Sequence, residues 1–206
     1  MPPRSKEEVV QEFRIRSIQE ATMRVISRKG MAAATMQEIA EEAGVAKGTI
    51  YLYFRDRDEL VEKTFESAMH ELMAQIDEAL EAKQPFEQRM RAVTEAQLAF
   101  FSKNREFFRL YLSMRLPEGN PHQQRRQKKT CQPQYRNRVQ KLATVLEEAM
   151  DAGEIRRVDS WRLALFIIEG STAILIERLT EDDSPPNEAD VDLISGLILD
   201  GIRKRS

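Results

Sequence analysis

The chain is poor in the residues that form disulfides and most metal sites. Its 206 residues include one cysteine, Cys131, and two histidines, His70 and His122. One cysteine cannot form an internal disulfide, and the two histidines lack the spacing of a metal-ligand cluster. Glycine-rich phosphate loops and nucleophile-elbow motifs are also missing. We therefore expect a protein that has no cofactor or metal and is not an enzyme.

Long apolar runs are absent as well. The longest, Leu163–Ile168, has six residues, whereas a helix that crosses a bilayer needs about 18 to 20. The N-terminal sequence MPPRSKEE has no apolar stretch of the kind found in a secretory signal peptide. We expect a cytoplasmic protein without a membrane partner.

Neither sign of charge is in clear excess. The chain has 32 Lys and Arg against 34 Asp and Glu, a net charge of -2, so total charge indicates no class of partner. The distribution is nevertheless uneven. Residues 103–141 contain 11 basic and 2 acidic side chains, whereas residues 142–206 contain 7 and 14. Any electrostatic attraction to a ligand must therefore be local.

Apolar residues recur at helical spacing throughout the chain. No stretch alternates apolar with polar residues as a strand would, so we expect an all-α fold. In the first predicted helix, the apolar stripe starts at Val9 and Phe13 and continues to Ile26. Gly30 then ends the helix, after two basic residues in its last turn.

Two short helices follow the first. Thr35 and Glu38 have the spacing of a capping box at the start of the second helix, which stops at Gly44. A third helix of about seven residues comes next, and its inward face is defined by Ile50. At about 100° per residue, Ala46 and Phe54 also turn inward. The outward-facing residues are Gly48, Thr49, Tyr51 and Leu52. This order is typical of a helix-turn-helix motif, whose second helix enters the DNA major groove.

The rest of the chain predicts a larger helical body. A long helix 4 follows Asp56 and Glu59, which repeat the capping-box spacing. Five further helices are expected at 86–102, 105–116, 133–152, 160–180 and 188–204. Pro133 interrupts what would otherwise be one helix from His122 to Ala152, so we expect a kink or a break there.

The segment from Thr35 to Leu60 reads TMQEIAEEAGVAKGTIYLYFRDRDEL and closely resembles the DNA-binding signature of the TetR family of bacterial transcriptional repressors. The resemblance extends over residues 14–60. It implies a three-helix DNA-binding head, residues 1–60, that helix 4 joins to an effector-binding and dimerisation bundle, residues 61–206. It also implies a repressor that binds a palindromic operator as a homodimer and is released by a small hydrophobic or amphipathic ligand.

Individual DNA contacts follow from the same resemblance. The residues implied to contact phosphates are Thr35, Lys47, Tyr51, Tyr53 and Arg57, and those implied to contact bases or the groove are Gln37, Gly48 and Thr49. Two positions depart from the common pattern. Ala46 stands where the family often has serine, so a side-chain cap is missing. Arg57 replaces a common lysine and keeps its charge.

The last two predicted helices each have a strongly apolar side. One stripe includes Leu165, Ile168 and Thr172, and the other includes Leu193, Leu197 and Ile198. A symmetric four-helix interface between two copies would cover both stripes. Packing of both helices inside one subunit is the alternative.

Aromatic and charged residues of the middle helices form a candidate ligand pocket. These residues are Phe101, Phe107, Phe108, Tyr111, Arg115, Tyr135, Trp161 and Glu169. As a set they suggest an apolar pocket with a polar mouth, although each aromatic can equally be plain core. The basic segment favours an anionic or amphipathic effector such as a fatty acyl thioester, whereas Glu169 would favour a cationic one. A helical small-molecule carrier or scaffold without sequence-specific DNA binding remains the alternative function.

Overall fold

The computed structural model describes residues 5–115, 121–181 and 184–203, without the side chains of residues 113–131 and 180–181. These residues form α-helices and one π-helical turn, and no strand occurs among them, which confirms the predicted all-α fold. The helices are α1 (Lys6–Lys29), α2 (Met36–Ala43), α3 (Lys47–Tyr51), α4 (Arg57–Glu81), α5 (Phe86–Lys103), α6 (Arg105–Arg115), α7 (Pro121–Asp151), α8 (Ser160–Ile176) and α9 (Glu188–Ile202), and the π-helical turn is Glu177–Glu181. Within the described ranges, no helix is both long enough and apolar enough to cross a bilayer.

The chain divides into two compact units. The head unit contains residues 1–68 and 106–130, and the body unit contains residues 69–105 and 131–206. Helix α4 therefore gives its first half to the head unit and its second half to the body unit. The head unit also takes in α6, which lies outside the predicted head of residues 1–60.

Local capping residues determine where the first helices begin and end. Thr35 and Glu38 form a reciprocal capping box at the start of α2, as predicted. Gly30 and Gly44 end α1 and α2 at φ angles of 81° and 67°, a backbone region that glycine enters without the steric cost of a Cβ atom. The predicted end of α1 and both predicted ends of α2 are therefore confirmed.

The apolar stripe of α1 packs over only part of its length. Its buried residues begin at Ile18, whereas Val9 and Phe13 are exposed, Phe13 by 72%. The predicted apolar stripe is therefore buried only from Ile18 onward. The described residues leave this side of the first turns of α1 uncovered.

Helix α6 completes the core of the head unit. The ring centroids of Phe65 and Phe107 are 5.9 Å apart, and the rings of Phe108 and Tyr111 stack with centroids 6.4 Å apart. At the edge of this cluster, Arg109 Nη1 donates a 2.8 Å hydrogen bond to Ser27 Oγ of α1. The aromatics of α6 therefore stabilise the head unit.

The body unit contains the second half of α4 together with α5, α8, α9 and the C-terminal part of α7. Helix α7 runs without interruption through Pro133, so the break expected there is absent. A proline inside a helix removes one hydrogen bond, and the remaining turns keep this helix continuous. Helix α8 begins at the Asp159 cap, whose side chain accepts from the Arg162 backbone N–H at 2.8 Å. It continues into the π-helical turn at Glu177.

Candidate nucleic-acid interface

Helix α3 is a five-residue element held down by two apolar side chains. Ile50 is fully buried, and Phe54, just beyond the helix, is almost so. Ala46 is the N-cap and makes no side-chain hydrogen bond. It is exposed, so its predicted inward orientation is wrong because it precedes the first helical turn.

The outward side of α3 brings together most of the predicted contact residues. Tyr51 is 49% exposed and Leu52 is 76% exposed. Lys47 and Gly48 are exposed, and Thr49 and Tyr53 are half-buried. A Cβ atom at Gly48 would meet no neighbouring atom within 4 Å. We call residues 47–53 the exposed face of α3. This face presents the hydroxyl groups of Thr49, Tyr51 and Tyr53 and the ammonium group of Lys47.

The two predicted contact residues at the start of α2 already have intramolecular partners. Thr35 Oγ1 accepts from the backbone N–H of Glu38 at 3.3 Å, and Gln37 Nε2 donates to Glu41 Oε1 at 2.8 Å. Both side chains are exposed, and both lie at the start of α2. A contact from Gln37 to a base would replace its bond to Glu41.

Arg57, the first residue of α4, is mostly buried. Its side chain is 23% exposed, and Nη1 lies 3.5 Å from Asp58 Oδ1. Its Nε and Nη2 atoms are buried without a hydrogen-bond partner among the described residues. Buried donors of this kind favour an added acceptor, and a phosphate oxygen that reached them would meet this need.

Ion pairs between α1 and α2 neutralise two of the three acidic side chains of α2, Glu38 and Glu42. Glu42 accepts from Arg28 Nη2 at 2.6 Å and from Arg24 Nε at 2.7 Å, and Lys29 pairs with Glu38. Hydrogen bonds from Arg28 and then Arg24 lower the pKa of Glu42 below its ordinary value. The pKa of Glu38 is lowered by hydrogen bonds from Lys29 and Thr35. Both carboxylates are therefore held charged and paired.

Three cations of the head form no ion pair with another described residue. Lys6, Arg14 and Lys47 make no ion pair within the described residues. Lys6 and Arg14 line an open groove at the end of α3 together with Leu52 and Tyr53, and Glu7 is the one acidic residue of its described lining. Local positive charge therefore lies beside the exposed face of α3, although the predicted head, residues 1–60, has 10 basic and 10 acidic side chains and so no net charge. Sequence counting missed this because it cannot tell which charges are paired.

The predicted ligand-pocket residues fall into both units. Phe107, Phe108, Tyr111 and Arg115 belong to the head unit, whereas Phe101, Tyr135, Trp161 and Glu169 belong to the body unit. The aromatic rings of Phe101, Phe107, Phe108 and Tyr111 are buried core. In the body unit, the Tyr135 hydroxyl donates a 2.6 Å hydrogen bond to Glu169 Oε1, and Trp161 is half-buried. The side chain of Arg115 lies outside the described residues.

The body unit contains a nearly closed cavity, which we call the body cavity. Its free volume of about 10 Å³ has room for about one water molecule. The residues that line it come from α4, α5, α7 and α8: Met73, Ile76, Leu80, Val93, Gln97, Arg138, Lys141, Leu142, Ile167 and Ile168. Sequence reasoning missed Gln97 and Arg138, although each is a polar residue at apolar helical spacing: Gln97 follows Val93, and Arg138 precedes Leu142.

Helices α8 and α9 expose an apolar surface, which we call the α8–α9 face. Phe166, Leu193 and Leu197 are exposed by 65%, 51% and 66%. Of the residues predicted for a dimer interface, Leu193 and Leu197 lie on this face and Leu165 is half-buried. Ile168, Thr172 and Ile198 are buried within the body unit. Phe166 was not predicted for this interface. It follows Leu165 directly and points about 100° away from it around the helix, so the predicted stripe did not include it.

Comparison with known proteins identifies relatives of the head and of most of the chain. Residues 18–64 match the family model described as bacterial regulatory proteins, tetR family. The uncharacterized HTH-type transcriptional regulator YhgD of Bacillus subtilis is 25% identical over 181 residues, which are 88% of this chain and 90% of YhgD. The fatty acid metabolism regulator protein of Bacillus subtilis is 25% identical over 152 residues, which are 74% of this chain and 76% of that protein.

Solved structures share the whole fold. The fatty acid degradation regulator FadR from Bacillus halodurans has a TM-score of 0.80 at 21% identity, over 93% of this chain and 97% of that one. The regulator FadR from Bacillus subtilis in complex with stearoyl-CoA has a TM-score of 0.78 at 20% identity, over 91% of this chain and 98% of that one. At such identities the likeness shows the fold alone.

Proposed function

The chain belongs to the tetR family of transcriptional regulators and is not an enzyme, and on that premise we propose that it is a cytoplasmic repressor. It binds a palindromic operator as a homodimer. It leaves the operator when a small hydrophobic or amphipathic ligand binds its body unit.

The exposed face of α3 carries the DNA-binding part of the proposal. Gly48 lets the backbone approach the duplex closely, since it has no side chain to hold it away. Thr49 has a hydroxyl and a methyl group that suit base edges, and Tyr51 has a hydroxyl that suits a phosphate oxygen. The base-reading set is Gln37, Gly48 and Thr49, and the phosphate contacts come from Thr35, Lys47, Tyr51, Tyr53 and Arg57.

Charge pairing in the head supports the same proposal. A carboxylate near a DNA phosphate would repel it, but Glu38 and Glu42 are each paired with cations of α1. Lys6, Arg14 and Lys47 add unpaired positive charge beside α3. The neutral total charge of the head is therefore compatible with DNA binding, through a small number of phosphate contacts.

The α8–α9 face supports homodimer formation. Phe166, Leu193 and Leu197 would be covered by the same face of a second copy, as a two-fold interface requires. Cβ atoms at Gly170 and Gly196 would meet nothing within 4 Å, so both positions leave space for an approaching helix. A dimer would present two heads to operator half-sites about one DNA turn apart.

The body cavity supports ligand control. The second half of α4 lines it through Met73, Ile76 and Leu80, and the same continuous helix begins at Arg57 in the head unit. A ligand that opens the cavity must displace side chains of α4, and a shift of this helix would move Arg57. The amphipathic class of ligand is supported by the relative named as a fatty acid metabolism regulator and by the structural neighbour solved with stearoyl-CoA.

Equilibrium binding to DNA tests the proposal directly. A fluorescent duplex from the promoter of the protein's own gene is titrated with the full-length protein in the presence of excess unrelated DNA. A regulator prefers the promoter duplex, whereas a carrier or scaffold protein shows no preference for any sequence.

Ligand control has its own measurement. Ligands that co-purify with the protein are identified by mass spectrometry and titrated into the protein with and without operator DNA. Thermodynamic linkage requires operator DNA to weaken ligand affinity by the factor by which ligand weakens DNA affinity. Equal ligand affinities with and without DNA would show that the ligand is not an inducer.

A further inference from the structure

The solvent-exposed residues of α8 form a single line along the helix, which we call the α8 ridge. Its members are Arg162, Phe166, Gly170 and Ala173 within the helix and Glu177 directly after the last α-helical residue. All other residues of Ser160–Ile176 are buried or half-buried. At 100° per residue the ridge spans about 80° of the helix surface. Its members therefore face the same way, and Phe166 connects them to the α8–α9 face.

The α8 ridge has opposite charges at its two ends. Arg162 lies in the first turn of α8, and Glu177 lies at the C-terminal end. Because a helix is partly positive at its N-terminus and partly negative at its C-terminus, each charge is at the end that disfavours it. Arg162 Nε lies 3.6 Å from Asp159 Oδ2, in a pair whose side chains are 84% and 53% exposed, and such exposed pairs are weak. Glu177 makes no ion pair with the described residues.

The order of residues on the α8 ridge suits a second copy of the same helix. When a two-fold axis relates two antiparallel helices, residues at equal distances on either side of the axis face each other. Arg162 and Glu177 have their midpoint directly before Gly170, and Phe166 and Ala173 share that midpoint. One axis beside Gly170 therefore places Arg162 opposite Glu177 of the second copy. It also places Phe166 opposite Ala173. Each charge then lies at the end of the neighbouring helix whose dipole attracts it.

Packing along the α8 ridge is compatible with this axis. A Cβ atom at Gly170 would meet nothing within 4 Å, and Ala173 has a small side chain, so the ring of Phe166 has room above them in the second copy. Helices of four-helix bundles cross at about 20°. Arg162 and Glu177 each lie about 11 Å along the helix from the axis, where this angle displaces the two helices sideways by about 4 Å. Their long side chains can span that displacement.

Helix α9 has no equivalent order of charges. Its exposed line consists of Ala189, Leu193, Leu197 and Asp200. One end of this line is acidic, and none of these residues is a cation, so two copies of it would gain no opposite-charge pair from each other. Asp200 also lies 3.9 Å from Arg203 at the end of the same helix. The charges suited to selecting a partner are therefore those of the α8 ridge.

We infer that α8 pairs with α8 of a second copy in an antiparallel register centred at Gly170, and that Arg162 and Glu177 select this partner. Two Arg162–Glu177 pairs then flank the two Phe166 side chains. The inference rests on the proposed function, which requires a homodimer, and it adds the register and the residues that determine specificity. A related protein with another order of charges would place like charges opposite each other, so the pairs act mainly on the choice of partner.

A mixture of two charge-reversed variants tests the partner selection. Each homodimer of Arg162→Glu, and each homodimer of Glu177→Arg, has two pairs of like charges, whereas their heterodimer has two pairs of opposite charges. We expect each homodimer to associate on the order of tenfold more weakly than the unchanged protein. An equal mixture should then contain roughly nine-tenths heterodimer, against half for random pairing. Native mass spectrometry of full-length subunits, one of them isotope-labelled, measures this fraction.

Arg136→Glu and Glu148→Arg form the matched control mixture. Both residues are exposed on α7 and lie outside the α8 ridge, so the same charge reversals should give random pairing. A further mixture combines Arg162→Glu with Asp200→Arg. It should also pair at random, whereas an excess of its heterodimer would mean that Arg162 faces α9 of the second copy and would overturn the inferred register.

Cross-linking locates the two-fold axis independently of charge. Cys131→Ser first removes the native thiol, and Gly170→Cys then places one cysteine of each subunit beside the axis. A disulfide needs Cβ atoms about 4 Å apart, so oxidation should cross-link most of the dimer. Ala173→Cys is the control, because position 173 faces position 166 across the axis and not its own copy. It should remain largely uncross-linked.

Two results would overturn the inference in a protein that is dimeric by sedimentation equilibrium. One is random pairing of Arg162→Glu with Glu177→Arg, and the other is cross-linking through Ala173→Cys but not through Gly170→Cys. Either result defeats the register and leaves the homodimer standing, whereas a protein that stays monomeric defeats the homodimer as well. Binding to the promoter duplex is measured on the same preparations, and absence of sequence preference there defeats the proposed function.

Discussion

Arg28 Nη2 donates a 2.6 Å hydrogen bond to Glu42 Oε2 and so joins the last turns of α1 and α2. Arg24 bonds to the other oxygen of the same carboxylate. The two arginines thereby hold the helix that precedes α3 and neutralise the carboxylate of Glu42. In a head without net charge, this pairing determines where positive potential remains for DNA.

Replacing Glu42 with glutamine should make the stability of the head less dependent on pH. The pKa of Glu42 is lowered in the folded protein from an ordinary value of 4.5. A carboxylate with a lowered pKa adds stability above its unfolded pKa, and this contribution is lost as the pH falls through the folded pKa. The difference in urea midpoint between the unchanged protein and Glu42→Gln should therefore be largest near neutral pH and shrink below about pH 4.5.

Glu20→Gln is the control for this experiment. Glu20 pairs with Arg16 within α1, at 3.2 Å, and does not join two helices. Its replacement should change the midpoint less at neutral pH. A constant difference between Glu42→Gln and the unchanged protein from pH 7 to pH 3 would show that the Glu42 pairs do not stabilise the head.

Lys47→Ala should reduce the salt dependence of DNA binding. Unpaired cations of two heads should neutralise about four to six phosphates per dimer, which sets the slope of log affinity against log salt concentration. Removing Lys47 should lower that slope by about two per dimer and weaken binding to all sequences alike. Arg16→Ala is the control, because Arg16 is exposed but paired with Glu20. A slope above about ten, or one unchanged in Lys47→Ala, contradicts the assignment.

Leu197→Glu should convert the dimer to a monomer. Leu197 is the most exposed apolar residue of the α8–α9 face, and a buried charge at a dimer interface should weaken association by at least about 2 kcal/mol. Sedimentation equilibrium measures the association constant. Phe13→Glu, at a similarly exposed residue of the head, should leave it unchanged. A Leu197→Glu protein that remains dimeric would place the interface elsewhere.

Pro133→Ala should stabilise the protein. Helix α7 continues through this exposed proline, so alanine would restore a backbone hydrogen bond that proline cannot donate. An interior proline costs about 3 kcal/mol relative to alanine, and we expect a gain of about 1–3 kcal/mol in the free energy of unfolding. Gln132→Ala, at the adjacent exposed residue, should change it by under about 0.5 kcal/mol. A loss of stability would mean that the proline is required for the path of the helix.

Local chemistry made much of the fold predictable. The Thr35–Glu38 capping box and the glycine stops at Gly30 and Gly44 depend on residues a few positions apart, so sequence identifies them directly. The exposed face of α3 was also predictable, because the position of Ile50 determines the direction of its neighbours on a helix.

Contacts between residues far apart in the chain determine which of the following side chains are buried, and the sequence did not predict them. Phe13 has the spacing of the apolar stripe, but the described part of the chain leaves its side of α1 exposed. Phe166 and Leu165 are adjacent apolar residues, and only the packing of α8 determines which one is exposed. Arg57 was predicted to contact a phosphate, but its local sequence did not indicate that most of its side chain is buried. In each case the deciding neighbour is distant in sequence, and periodicity carries no information about it.

Operator binding by Tyr51→Ala is the most direct test of the account. Tyr51 lies on the exposed face of α3, so its loss should remove preferential binding to the promoter duplex while leaving helicity and the dimer unchanged. Phe13→Ala, which removes an exposed aromatic side chain from α1, should bind as the unchanged protein does. Promoter affinity of Tyr51→Ala equal to that of the unchanged protein would contradict the claim that this face of α3 contacts DNA.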